Sequence, residues 1–205
     1  MRRVAIVDTG LSNLDSVRRA LEECGADPFV TNDPIALDGA ARIVLPGIGS
    51  FGDGMAALRE RRLDVSMAEQ VVGRGVPFLG ICLGLQLLAR VGTEGSITDG
   101  LGWIEGEVVR LEPTPEERRV PHMGWNEVHA TRDSVLLAGL PGDADFYFVH
   151  SYRLRCDHDL DSVATTPYCG GFTSVVERGN VFATQFHPEK SQRHGFAVLR
   201  NFLAA

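Results

Sequence analysis

The chain has 205 residues, 44 % of them hydrophobic and 23 % charged, which suffices to bury a sizeable core and suits one large domain better than two. Its formal charge of −7 excludes a general nucleic-acid-binding or anionic-membrane surface, since either needs a basic excess. The longest nearly apolar stretch, Phe78 to Ala89, contains Gln86 and falls short of the roughly 20 residues of a membrane span, so a soluble protein is expected, and four cysteines without a disulfide pattern suit a reducing cytoplasm.

In chain order, Met1-Arg2-Arg3 leads into a short apolar run that stops at Asp8, too short for a signal-peptide core, and Val4 to Val7 reads as a buried first strand. A helix capped by Ser12 follows, with Leu14, Val17 and Leu21 on one face and Gly25 at its end. Cys24, on the apolar side of that pattern, reads as structural. Arg42-Ile43-Val44-Leu45 is the next strand; it runs into the glycine-rich turn Pro46 to Gly52 and a helix carrying Met55, Ala56 and Leu58. Arg59, Arg61 and Arg62, interleaved with Glu60, read as a solvated helix face. Pro77 to Ile81 is a third strand, followed by a sharp turn at Cys82 and a helix-like stretch, Leu85 to Ala89. This βαβα order implies an α/β fold with right-handed crossovers, helices on both faces of a mostly parallel sheet, and a site at the carboxyl ends of the strands.

From about Gly106 the pattern changes to short alternating or β-branched runs: 107–111, 126–129, 145–152, 162–165, 172–177 and 181–186. Part of this half is therefore an antiparallel or mixed extension of the sheet. The segment 112–119, with two prolines and four charged residues after Glu112, reads as an exposed loop, and a helix from Ser191 through Phe196, Leu199 and Phe202 closes the chain against the core. Cys156 and Cys169 lie in loop-like surroundings, and the four cysteines include no CxxC pair, so neither a disulfide framework nor a zinc site is expected. Cys156-Asp157-His158 has no second ligand pair at suitable spacing, and no metal is expected there either.

The residues that carry chemistry cluster around Cys82. Gly80-Ile81-Cys82-Leu83-Gly84 has a glycine two positions before and two after the cysteine, as a nucleophile elbow requires where a strand turns tightly into a helix; an ordinary packed turn is the alternative. The elbow sets the sulfur at a helix N-terminus, where unpaired amides favour a thiolate. A cysteine nucleophile needs a proton acceptor, and His187 follows the strand 181–186 and precedes Pro188, which stiffens the turn, and Glu189, which sits where it orients the ring. His150 is the second candidate base, although Ser151-Tyr152 after it suggests a binding edge; His122, His129, His158 and His194 have no comparable setting. Negative charge developing on a substrate carbonyl needs donors, which the Leu83 amide and the Pro46 to Gly52 turn offer. That turn also reads as a phosphate loop or a plain tight turn, but it lacks both a Gly-Lys-Ser/Thr ending and a GxGxxG spacing.

Pro46-Gly47-Ile48-Gly49, Gly80 to Gln86 and His187-Pro188-Glu189, in this order, resemble the class I, triad-type glutamine amidotransferases over nearly the whole chain, 1–205. The resemblance implies a single flavodoxin-like α/β domain that hydrolyses L-glutamine through a cysteine thioester and passes ammonia to a synthase, with no metal or organic cofactor. It makes Cys82 the nucleophile, His187 the general base and acid, Glu189 the orienting carboxylate, and the Gly47 to Gly49 turn the oxyanion strand, with Ile48 and Leu83 as backbone donors. Within the family, segments 121–128 and 147–152 look like those of the glutaminase subunits of imidazole glycerol phosphate synthases, of histidine biosynthesis. That likeness implies that Gln86, Glu94, Ser151 and Tyr152 help to bind glutamine. It also implies that Trp125, Tyr147 and Lys190 face a (β/α)₈-barrel cyclase subunit in a heterodimer. Two positions depart from the family pattern: Thr9 stands where Tyr is frequent, and Ser50 where a smaller apolar residue is common.

Escape or protonation of free ammonia would waste it, so a shielded path to a second protein is expected; this chain leaves no room for a synthase domain. Weak activity alone and stimulation by the liganded partner are expected as well, through an Ile48 peptide that turns its amide only on demand. A glutaminase subunit for anthranilate or pyridoxal phosphate synthesis would use the same triad. An α/β binding protein with an oxidisable cysteine but no turnover is the reading of a different class.

Overall fold

The computed structural model describes residues 3–117 and 119–205; Met1 and Arg2, ahead of the predicted first strand, and Arg118, in the predicted 112–119 loop, lie outside the described residues. The first half runs through β1 (Arg3–Val7), α1 (Leu14–Glu23), β2 (Asp27–Thr31), β3 (Arg42–Gly47), α2 (Phe51–Glu60), α3 (Leu63–Ala68), β4 (Phe78–Cys82) and α4 (Leu83–Gln86). Then come β5 (Ala89–Gly92), β6 (Thr98–Asp99), β7 (Ile104–Arg110), β8 (His122–Glu127), β9 (His129–Ala130), β10 (Asp145–His150) and β11 (Tyr152–Cys156). The chain ends with β12 (Ser162–Thr166), β13 (Phe172–Arg178), β14 (Val181–Thr184) and α5 (Gln192–Ala204).

In the main sheet β2, β1, β3, β4 and β14 lie side by side and parallel, and β13, β12 and β9 extend it antiparallel. Both faces are covered, which is why the central strands are continuous apolar runs rather than alternating ones. Side chains still sort by their period of two: Val4, Ile6, Val44, Leu79 and Ile81 pack with α1 and α5, while Ala5, Val7, Ile43, Leu45 and Phe78 pack with α2 and α3. Beside this frame stand a two-stranded ribbon, β8 with β10, and a four-stranded sheet ordered β11, β7, β5, β6. No helix among the described residues is long and apolar enough to cross a membrane.

Several expectations are corrected. Asn13, not Ser12, caps α1 by accepting from Ser16 N; Ser12 instead donates its hydroxyl to Pro46 O at 2.8 Å, tying the first loop to the glycine-rich turn. That turn is shorter than 46–52: Pro46 and Gly47 complete β3, and Ser50 caps α2, which begins at Phe51. The helix after the elbow is one turn, α4, and Ala89 already belongs to a strand. Residues 83–89 are buried throughout, so they lack the polar face that would have set a helical period apart from a strand. The run 145–152 is two strands: Ser151 separates β10, paired with β8, from β11, paired with β7. The run 126–129 likewise divides between β8 and β9, and Cys156 lies in a strand rather than a loop. Strands β2, β5 and β6 and helix α3 had no counterpart in the sequence reading; β2 alternates weakly and starts with Asp27-Pro28. Of the three arginines, Arg59 lies on α2, while Arg61 and Arg62 sit exposed between α2 and α3.

Candidate active site

Sheet order brings three distant segments together. β3, β4 and β14 are neighbours, Gly47 pairs with Cys82 in register, and Thr184 pairs with Ile81, so the glycine turn, Cys82 and His187 all emerge at one carboxyl edge. Cys82 has φ 55° and ψ −105°, a conformation that L side chains seldom adopt. Its flanking glycines are required sterically. A Cβ on Gly84 would lie 1.9 Å from Leu45 O, and one on Gly80 would lie 2.6 Å from Gly84 O. Both clashes are with backbone, Gly84 against β3 and Gly80 against the elbow's own turn, so neither position has room for a side chain.

His187 and Glu189 are held by a one-turn 3-10 helix, Pro188–Lys190, that folds the carboxylate back onto the ring: His187 Nδ1 and Glu189 Oε1 are 2.8 Å apart, both groups buried. The turn is pinned to β10, because His187 N donates to Tyr147 O at 2.9 Å. Ser191 Oγ donates to His187 O at 2.6 Å and accepts from Tyr147 N at 3.0 Å. Burial pulls the imidazole's affinity for a proton down; negative charge on Cys82, and then Glu189, overcome it and raise the His187 pKa to about 10. Buried His187 Nε2 has no hydrogen-bond partner, nor has Glu189 Oε2. The imidazole is thus oriented by Glu189 through Nδ1, and its Nε2 is left unoccupied.

His150, the second candidate base, has both ring nitrogens engaged. Its Nδ1 faces Tyr152 O at 2.8 Å and its Nε2 faces His122 Nδ1 at 3.1 Å, and burial pushes its pKa down to about 3. His122, stacked between Phe148 and Tyr168, is lowered by burial to about 4, and Asn126 Nδ2 lies 3.3 Å from its other nitrogen. Because a carbonyl only accepts, His150 Nδ1 carries the hydrogen, His122 donates to His150, and both rings are neutral.

A cleft of about 360 Å³ opens over Cys82. Of the predicted residues, Ile48, Gly49, Cys82, Leu83, Gln86, Glu94, Ser151, Tyr152 and Lys190 line it, joined by Val149 and His150. Gly47 lies behind the lining in β3, where a Cβ would press 2.9 Å from Leu83 Cβ. Glu94 Oε2 accepts from Phe51 N at 2.8 Å at the start of α2. Gln86 Nε2 donates to Tyr152 O at 2.9 Å and to Gln185 Oε1 at 3.1 Å, so its nitrogen is part of the scaffold. The Ile48 amide does not point into the cleft: it donates to Leu11 O at 2.7 Å, and Gly49 beside it has φ +100°. Trp125 and Tyr147 lie outside the cleft as a cross-strand pair on the β8–β10 ribbon, ring centroids 6.1 Å apart, with Lys190 Nζ 5.9 Å from the Tyr147 ring. Exposed Met123 adjoins them on the same face. Sequence reasoning missed Gln185, fully buried, whose Nε2 donates to Cys82 Sγ at 3.6 Å. Its only signal was a polar residue inside the apolar run 181–186. No group of three or more His, Cys, Asp or Glu among the described residues is arranged to hold a metal ion.

The family model for glutamine amidotransferase class-I matches residues 5–205. The imidazole glycerol phosphate synthase subunit HisH of Moorella thermoacetica is 48 % identical over 202 residues, covering 98 % of this chain and 94 % of that protein. The subunit HisH of Caulobacter vibrioides is 45 % identical over 209 residues, covering 99 % and 98 %. Among solved structures, PurLQS from Thermotoga maritima superposes with a TM-score of 0.77 at 23 % identity, over 100 % of this chain and 99 % of that one. A glutamine amidotransferase from the same organism gives 0.69 at 17 %, over 98 % and 96 %.

Proposed function

The chain belongs to the class-I glutamine amidotransferases, and from that membership we propose that it is the glutaminase subunit of an imidazole glycerol phosphate synthase, a cytoplasmic enzyme of histidine biosynthesis. The observation that carries the chemistry is the meeting of the Cys82 elbow with the buried His187–Glu189 pair at one edge of the sheet. The choice of pathway is supported by the near-full-length likeness to the HisH proteins, which disfavours the anthranilate and pyridoxal phosphate alternatives.

Glutamine binds in the cleft with its side-chain amide over Cys82. Glu94 supplies a carboxylate suited to the α-ammonium group, and Gln86, Ser151 and Tyr152 shape the wall. The Cys82 thiolate attacks the carboxamide carbon, and the charge developing on oxygen is met by the Leu83 amide and by Ile48 once its amide turns inward. Imidazolium His187, held by Glu189, gives its proton to the departing ammonia. The ring then takes a proton from water, which hydrolyses the thioester to glutamate. No cofactor enters these steps. Ammonia passes to a (β/α)₈-barrel cyclase docked on the face formed by Met123, Trp125, Tyr147 and Lys190, beside the mouth of the cleft.

In the resting arrangement the Ile48 amide is spent on Leu11 O, which leaves the oxyanion site one donor short. Partner binding at the neighbouring ribbon, whose Tyr147 backbone holds His187, supplies the signal that frees it. Glutamate release is to be compared between the isolated chain and the chain copurified with its barrel partner and that partner's ligand; stimulation of at least tenfold is expected, and equal rates defeat the gating.

A further inference from the structure

One buried carboxamide in this site can take only one orientation. The Tyr152 carbonyl can only accept a hydrogen bond, so the atom of Gln86 that lies 2.9 Å from it is the nitrogen. That same nitrogen lies 3.1 Å from Gln185, which must therefore present its oxygen. The Gln185 nitrogen is left facing Cys82 Sγ at 3.6 Å. Turning Gln185 over would set two NH₂ groups against each other and an oxygen against the sulfur. Gln185 is 0 % exposed and Gln86 5 %, so water does not relieve such a mismatch. Gln185 is also anchored through its backbone, its N–H donating to Ser174 O at 2.9 Å.

The sulfur also faces Val149 O at 3.8 Å, an acceptor that suits a thiol and opposes a thiolate. We propose that Gln185, locked by Gln86 and the Tyr152 carbonyl, is a dedicated hydrogen-bond donor to the Cys82 nucleophile, holding the sulfur in place and favouring its ionised form. The inference rests on the reading of Cys82 as the nucleophile and adds a residue to that site. Its physical basis is that a hydrogen bond to the charged form of an acid favours that form, while His187 supplies a donor only when protonated. The Gln185 carboxamide supplies one at every pH.

The test uses the full chain and needs neither glutamine nor a partner. Iodoacetamide alkylation of Cys82 is followed against pH by mass spectrometry of the Cys82 peptide, which separates it from Cys24, Cys156 and Cys169. In Gln185→Met, of similar length but without the donor, the profile moves to higher pH by about one unit: the rate on its rising limb falls about tenfold and its plateau is kept. In Gln185→Glu, which places a carboxylate against the sulfur, the displacement is larger. A wild-type profile in a folded Gln185→Met protein overturns the proposal. If neither variant folds, the wild-type protein decides: the Gln185 side-chain amide NMR resonances track pH in step with alkylation and lose that response in Cys82→Ala. Resonances that stay still across the profile overturn it. Loss of glutaminase chemistry as a whole would appear in a glutamate-release assay and leaves these readouts untouched, so the two failures are distinct.

Discussion

Replacing Gly84 by alanine probes the closeness of the elbow to the sheet. The new methyl would stand 1.9 Å from Leu45 O, about 1.5 Å short of the 3.4 Å at which ordinary contact begins, and a Cβ fixed to the main chain meeting a backbone carbonyl leaves no side-chain rotation to relieve it. Leu45 pairs with Gly80 in the middle of the sheet, so relief comes from lifting the elbow away from β3. Cys82 and Leu83 would then move relative to the Ile48 turn, which hangs from the end of the same strand. A displacement of about 1 Å in a reacting group costs on the order of 10²-fold in rate. Overpacking of this kind costs about 3 kcal/mol, which for a domain of this size lowers Tm by about 6–12 °C. Gly52→Ala is the control, because its methyl would meet only Thr98 Oγ1 at 3.8 Å. Glutamate release by the partner complex and thermal unfolding by circular dichroism read both effects. A Gly84→Ala protein with more than a third of wild-type glutaminase activity and an unchanged Tm refutes the reasoning.

Two further outcomes follow from the titrating groups. Glu189→Gln removes one of the charges that hold His187 at about 10, and glutamate release should fall about 10²- to 10⁴-fold as the ring loses its orientation and tautomer. Because a raised pKa stabilises the fold fully below the unfolded value near 6.5 and ceases to do so as pH climbs through 10, the Tm gap between wild type and Glu189→Gln should be widest at pH 6 and shrink towards pH 10; a kcat within threefold of wild type contradicts the assignment. His122 and His150 have the opposite sign: lowered to about 4 and about 3, they stabilise the fold fully above pH 6.5, and that support drains as pH falls below it, at about 1.4 kcal/mol per pH unit for each proton the unfolded chain alone takes up. His150→Gln should flatten this acid limb between pH 6 and 4 in urea titrations, and an unchanged slope would mean that the pair is not neutral in the folded protein.

What the sequence made legible was what local sterics dictate. The glycines at 80 and 84 were readable because a tight strand-to-helix turn admits nothing else, and His187-Pro188-Glu189 because two residues of separation suffice to fold a carboxylate onto an imidazole. The mostly parallel sheet was readable from its apolar runs. Features set by long-range pairing were not. His150 looked like a free strand-end histidine until the β8–β10 register placed His122 directly across from it. Ser12 and Asn13 are adjacent residues of equal capping competence, and the choice fell to Asn13 because Ser12 was drawn to Pro46 O on another strand. Ser50, noted only as a departure from a family pattern, acts as the cap of α2, its Oγ accepting from Asp53 N at 3.2 Å. Gln185 could not be assigned, since its meaning depends on Gln86 and on Cys82, roughly a hundred residues earlier in each case.

The central claim is that Cys82 generates ammonia that the partner consumes. In the copurified complex, Cys82→Ala should abolish imidazole glycerol phosphate synthesis from glutamine while leaving synthesis from added ammonium salt at the wild-type rate. Loss of both activities, or survival of the glutamine-dependent one, would contradict it.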